Sequence, residues 1–330
     1  MRAAIMTQFG FPTVGGTWGL DCFPCAHGDN MGAIVRLAFH DAAGGDGALA
    51  RGSNGCIDFA AVDNTGLTEV IAQLDAAHAP FTSVVSRADF WVLAASVAIE
   101  VATTLADGVD PLVLMDILNL PSLPSSGPLK LPVRFGRVDA GSCTNMDMLI
   151  PPASFSWAQI VLNFNRFGIT TDETVALFGA HAVGRAETAN LGFNGGWTKT
   201  QSSFSNRYYY RLSQSSWTSG NPKTSNVWLN GCGGSDTSTL MLKTDVELGV
   251  TPSEECAGFN PTDLPSATPH PEFAPIGASK CPINVQAKDT VMTFKHSMST
   301  WWATFRSAWA MVTQLGYTVD ATSGRLVPSP

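Results

Sequence analysis

Apolar positions in this chain recur mostly at helical spacing, and few stretches alternate as a half-buried strand does. Residues 83–101 are apolar on nearly every side after Asp89, which predicts a helix buried at the centre of the protein. Over residues 291–315, Phe294, Met298, Trp302, Phe305, Trp309 and Val312 stand 4, 4, 3, 4 and 3 apart. That stripe predicts one long helix facing a core, with no chemistry of its own. Residues 156–167 read as an amphipathic helix. Thr170 and Glu173 form a capping box that opens a short apolar helix over 175–181, with His181 at its end. Residues 35–41 read as a helix, with Asp29 or Asn30 as its N-cap, and 65–67 open another short helix. Residues 1–28 and 42–56 read as loops, and 251–287, rich in Pro, Ser and Thr, as an extended surface segment. Pro121, Pro124, Pro128 and Pro132 interrupt the middle of the chain. The pattern is that of a mostly α fold in two lobes, 1–145 and 146–330.

Composition narrows the class. A hydrophobic fraction of 45% over 330 residues supports a large core, and no low-complexity tract dominates. The net charge of −8 argues against a nucleic-acid partner and suits a cationic partner or small neutral donors. No apolar run reaches transmembrane length. No signal-peptide pattern follows Met1, so the chain is either not exported or stands without its leader. Seven cysteines are many for a cytosolic enzyme and fit three disulfides and one free thiol in an oxidising compartment. An extracellular location is favoured on that ground, with an organelle as the alternative. The run from Cys22 through Cys25 to His27 is one residue off the haem-attachment pattern Cys-x-x-Cys-His. It also lacks a second ligand pair for zinc, so a structural disulfide from one or both cysteines is expected.

Two histidines are candidates for chemistry. Arg36 and His40 stand four residues apart and share a helix face, with Phe39 beside them. A guanidinium and an imidazole on an otherwise apolar helix are expensive to bury without a purpose. His181 ends a second buried helix. Taken alone, each histidine reads as a satisfied core residue. In the glycine-rich loop after His40, Asp41, Asp46 and Asn54 with main-chain carbonyls make a candidate hard-cation site, against a plain glycine loop.

Five segments taken together resemble, in order, the motifs of the plant, fungal and bacterial haem peroxidase superfamily. Val35-Arg-Leu-Ala-Phe-His-Asp41 is similar to its distal motif, and Leu177-Phe-Gly-Ala-His-Ala-Val-Gly-Arg185 to its proximal motif. Ser86 to Ala95, Arg134 to Asp139 and Phe204 to Tyr209 are similar to secondary signatures. The resemblance spans about residues 30–315 and implies a two-lobed fold with haem b between a distal lobe, 1–145, and a proximal lobe, 146–330. It implies an enzyme that reduces hydrogen peroxide through a ferryl intermediate and oxidises a donor in one-electron steps.

The roles follow from the resemblance and from the chemistry such residues can do. His40 takes a proton from peroxide and returns it to the leaving oxygen, and Arg36 stabilises the charge that grows as the O–O bond breaks. Asn64 accepts from one nitrogen of His40. Asp58, six residues earlier, fixes Asn64 where the family usually has Glu. Phe39 lies on the haem's distal side. His181 is the axial iron ligand, and Asp245 accepts its remaining N–H and gives the imidazole anionic character. Trp197, sixteen residues after His181, packs against it.

Trp197, Ala182 and Asn190 resemble the cytochrome c peroxidases, and Trp197 also the ascorbate peroxidases. Phe39 and Asp41 resemble the secreted branches, but in their distal calcium site Asn54 and Cys56 stand where that family has Asp and Ser. The chain therefore resembles a hybrid. Glu187 with Asp29, and Ala33 in place of a third acid, match part of a manganese-oxidising site. Near Trp197, where ascorbate peroxidase holds a cation, only the hydroxyls of Thr198 and Thr200 remain, with Ser205 replacing an Asp. The expected partners are hydrogen peroxide and either a small organic reductant or a small cationic redox protein such as a cytochrome c, with the chain a monomer. The alternative is a haem-binding sensor or carrier, which needs His181 but not Arg36, His40 and Asn64.

Overall fold

A computed structural model describes residues 1–11, 26–46, 49–50, 52–104, 128–143, 147–148, 150–191, 194–214, 217–218, 226–230, 239–250, 258–259 and 284–329. Helices dominate them, so the fold is mostly α as the periodicity predicts. α1 (Arg2–Gln8) forms where a loop was expected: its Ala-Ala-Ile-Met run has high helix propensity, and Ile5 is fully buried. α2 (Ala26–Ala42) carries Arg36 and His40. It begins earlier than the sequence suggested, so Asp29 lies in its first turn, where an acid suits the helix dipole, and is not its cap. α3 (Thr68–His78) follows a 3-10 turn, Val62–Asn64.

α4 (Arg87–Ala102) is the buried central helix. It starts four residues later than expected because Ser86 caps it, Oγ accepting from Asp89 N at 3.1 Å. Asp139 holds the same end, its carboxylate accepting from Arg87 N and Ala88 N at 2.9 Å each. α2 and α4 pack side by side. α5 (Trp157–Asn165) and α6 (Thr171–Phe178) lie where the amphipathic patterns put them. The Thr170–Glu173 capping box forms in both directions. α7 is Arg207–Gln214. The expected C-terminal helix is two helices, α8 (Lys288–His296) and α9 (Met298–Thr313), separated at Ser297, which leaves helical geometry and caps α9. The stripe survives this break, and all six of its residues are buried.

Strands are short. β1 (Gly44–Asp46) pairs with β2 (Leu49–Ala50) and with β3 (Asp147–Met148), inside a stretch expected to be loop. β4 (Arg185–Ala186) pairs with β5 (Gly195–Gly196), bringing the segment after His181 back toward Trp197. A four-stranded sheet has the order β8-β7-β6-β9, from Leu240–Leu242, Val227–Asn230, Trp217–Thr218 and Gly258–Phe259. β10 (Tyr317–Val319) and β11 (Leu326–Pro328) close the chain as a hairpin. The Cys22–Cys25 stretch, the lobe boundary near 145 and nearly all of 251–283 lie outside the described residues.

Two close approaches fix the segment that bears His181, one against α2 and one against α9. A Cβ on Gly32 in α2 would stand 2.5 Å from the Cα of Gly184, three residues after His181. Gly184 itself has φ +78, which other residues rarely adopt. A Cβ on Gly179 would stand 2.5 Å from the Trp301 ring, so α9 lies directly against the turn that bears His181. A buried ion pair ties the frame together. Arg137 Nη1 meets Asp89 Oδ1 at 2.8 Å, while Nε and Nη2 both donate to Thr313 O at the end of α9.

Candidate active site between two histidines

A cavity of about 520 Å³ separates α2 from the turn after α6. Arg36, Phe39 and His40 line it from one side, and Phe178, His181 and Trp197 from the other.

On the α2 side, His40 Nδ1 meets Asn64 Oδ1 at 2.8 Å. Asn64 is fully buried, and its Nδ2 donates to the main-chain oxygen of Asp58 at 2.7 Å. That donor–acceptor order turns the amide oxygen toward His40, so Nδ1 carries the proton and Nε2 is left basic. This bond uses the Asp58 main-chain carbonyl, an acceptor that any residue at 58 supplies. The Asp58 carboxylate accepts from Ala60 N at 2.9 Å. Burial, then the Arg36 charge, push the His40 pKa down to about 3 against the pull of Asn64. Arg36 Nη2 donates to the main-chain oxygens of Asp63 and Thr65, at 2.5 and 3.1 Å. Arg36 and His40 are thus both tied to the turn that carries Asn64. Phe39 is half-buried, its ring 6.3 Å from that of Phe164.

Asp41 turns away from the cavity. Its two oxygens accept from the main-chain N–H groups of Asn54, Gly55 and Cys56 at 3.0, 3.1 and 3.2 Å. Burial raises its pKa to about 7 against those three bonds. Asp41 therefore anchors the loop through donors, whereas a cation site needs its oxygens turned to the ion. Asn54 Oδ1 is buried with no hydrogen-bond partner among the described residues, and the side chain of Asp46 lies outside them. Among the described residues no cluster of three or more His, Cys, Asp or Glu could hold a metal ion.

On the other side, His181 sits in the 3-10 turn Gly179–Ala182 that continues α6. Its Nδ1 donates to Asp245 Oδ1 at 2.7 Å. The Trp197 ring stacks on the imidazole, centroids 4.2 Å apart and planes inclined by 19°. Its Nε1 donates to Asp245 Oδ2 at 2.7 Å. One carboxylate thus reaches both rings. The sequence did not single out Tyr208, whose hydroxyl donates to Asp245 Oδ1 at 2.6 Å. Burial and the Asp245 charge hold that phenol's pKa well above its ordinary value. Near Trp197, Thr198 Oγ1 donates to Ala182 O at 3.2 Å, and Thr200 Oγ1 accepts from Arg207 Nη1 at 3.0 Å. A guanidinium therefore occupies one of the two hydroxyls expected to face an empty cation site. Asp29 and Glu187 line the cavity with Arg185 between them electrostatically: burial raises the Asp29 pKa, Arg185 lowers it and Glu187 raises it.

These residues fit a haem. The cavity is within the ~300–1,000 Å³ of ligand and cofactor pockets. With Nδ1 of His181 engaged by the carboxylate, Nε2 is the ring nitrogen left for a metal. A mostly α fold with two such histidines across one cavity is an arrangement that suits a haem protein. The family model described as Peroxidase matches residues 23–258, and the chain belongs to that family. It is 33% identical over 225 residues to a Candida albicans protein described as "Putative heme-binding peroxidase", covering 65% of this chain and 67% of that one. It is 37% identical over 129 residues to the mitochondrial cytochrome c peroxidase of Yarrowia lipolytica, covering 38% of this chain and 36% of that one. A peroxisomal L-ascorbate peroxidase of Arabidopsis thaliana is 30% identical over 184 residues, 54% of this chain and 56% of that one. The chain thus aligns with between about a third and two thirds of the length of these relatives.

Proposed function

We propose that His181 would hold the iron of haem b in this cavity, and that His40, Arg36 and Asn64 carry the reduction of hydrogen peroxide. The observation behind this reading is the matched pair of histidines. Each has Nδ1 held by a buried partner, and both face one cavity. Bound there, haem supplies the iron at which peroxide is reduced and the one-electron chemistry that follows.

The protein's own groups divide the remaining work. Neutral His40 takes the proton of the incoming peroxide at Nε2 and delivers it to the departing oxygen. Asn64 keeps the other nitrogen protonated, so the imidazole stays in the tautomer with a basic Nε2. Arg36 supplies positive charge to the oxygen that becomes negative. Asp245 draws the His181 Nδ1 proton toward itself and makes the imidazole a stronger donor to iron. Phe39 keeps the distal wall apolar. The division into a distal lobe, 1–145, and a proximal lobe, 146–330, belongs to the same reading.

A small cationic redox protein is one donor consistent with the acidic chain and with Asp29, Asp63, Glu69 and Glu187 at the cavity. A small organic reductant is the other. A distal calcium would draw on Asp41 and the unpartnered Asn54 Oδ1, and requires Asp41 to give up its main-chain donors. The Cys56–Cys143 disulfide supports an oxidising compartment, and the mitochondrial and peroxisomal relatives support an organelle. No helix among the described residues is long and apolar enough to cross a membrane. Reconstituting the chain with haem and mixing it with peroxide tests the reading: an enzyme changes its haem spectrum rapidly and turns over donors, whereas a carrier does neither. A steady-state panel of ascorbate, ferrocytochrome c, phenols and Mn²⁺ then identifies the donor class.

A further inference from the structure

Asp245 serves more donors than the His181 and Trp197 rings. Oδ1 accepts from His181 Nδ1 at 2.7 Å and from the Tyr208 hydroxyl at 2.6 Å. Oδ2 accepts from Trp197 Nε1 at 2.7 Å and from Leu242 N at 2.8 Å. An ionised carboxylate offers about four lone-pair sites, so this one is fully subscribed. Asp245 and Tyr208 are both 0% exposed, and no solvent shares the charge. The neighbouring Tyr209 is different: its hydroxyl donates to the main-chain oxygen of Val175 at 2.8 Å and anchors α7 to α6.

We propose that Tyr208 is a positioning residue that limits how much negative charge Asp245 passes to His181. The phenol and the imidazole compete for the same oxygen. An O–H donor to a buried carboxylate makes a short, charge-assisted bond, and the density it draws from Oδ1 is withdrawn from the Nδ1–H bond. The phenol also fixes the carboxylate's rotation, holding Oδ1 on His181 and Oδ2 on Trp197. The residue that stacks on His181 and the residue that tunes it are therefore coupled through one side chain. The inference rests on His181 being the iron ligand.

The test uses the haem-loaded full chain with Tyr208→Phe, which removes one hydroxyl and little volume. Resonance Raman of the ferrous protein reads the iron–histidine stretch, and redox titration reads the Fe(III)/Fe(II) midpoint. With its competitor gone, the His181–Asp245 bond strengthens. The stretch moves to higher frequency and the midpoint falls by about tenfold in the equilibrium, which is ~59 mV for one electron. Tyr209→Phe leaves both readouts in place. Replacing Tyr208 by a fluorinated tyrosine, a stronger donor, moves both readouts the other way and keeps the test open if the Phe variant does not fold. Unchanged readouts in Tyr208→Phe, or shifts in the sense given by Asp245→Asn, overturn the proposal while leaving His181 as ligand. A wild-type spectrum without an iron–histidine band, or with one that persists in His181→Gly, overturns the ligand assignment itself.

Discussion

His40 owes its usefulness to being dry. Burial and Arg36 lower its pKa to about 3, so the imidazole is neutral and basic throughout the ordinary range. A base works only when unprotonated, so the rate of reaction with peroxide should be flat from pH 7 to below pH 5 and fall only as the pH nears 3. A midpoint near 6.5 in stopped-flow rates would place His40 in water and away from the cavity. Trp197 invites a second test. The Asp245 charge on its Nε1 favours a positive charge on the indole, although Arg207 on Thr200 brings an opposing cation to the neighbouring segment. Low-temperature paramagnetic resonance after one equivalent of peroxide should show an indole radical that is lost in Trp197→Phe. A wild type without that signal contradicts the idea. At this scale much of the site was legible. Arg36 and His40 share a face by spacing alone, and the family motifs supplied Asn64, His181, Trp197 and Asp245. Tyr208 was hidden because it meets a residue 37 positions away, and nothing local says which way its hydroxyl turns.

Elements with a strong period were legible, and those held by distant partners were not. α4 and α6 follow from an apolar run and a capping box. The α8–α9 break was invisible because the apolar stripe runs straight through Ser297. β1 depends on pairing with residues 147–148, about a hundred positions on, so its sequence reads as loop. The contact that sets the cleft, Gly32 against Gly184, joins two elements with no local signal. Gly32→Val should force α2 off the turn after His181 and destabilise the fold by ~1–3 kcal/mol, with weaker haem retention. Thermal unfolding with and without haem measures both. An unchanged melting temperature would show that the two backbones are not in contact.

For the whole molecule, a buried Asp89–Arg137–Thr313 tie and the packing of α2 on α4 hold the two walls of one cavity in register. Disulfide chemistry belongs to this scale too. Cys56–Cys143 links the loop that holds Asp41 to the segment after Asp139. Thiol titration of the unfolded, unreduced protein should find about one free thiol among seven cysteines. Seven reactive thiols would point to a reducing compartment. In the proposed reaction two histidines flank one haem and His40 carries the proton. Rapid mixing of haem-loaded His40→Leu with peroxide examines it. Haem should bind as in wild type and the reaction should slow by ~10²–10⁴-fold, the usual worth of a positioned general base. Haem bound normally and a rate equal to wild type would contradict it.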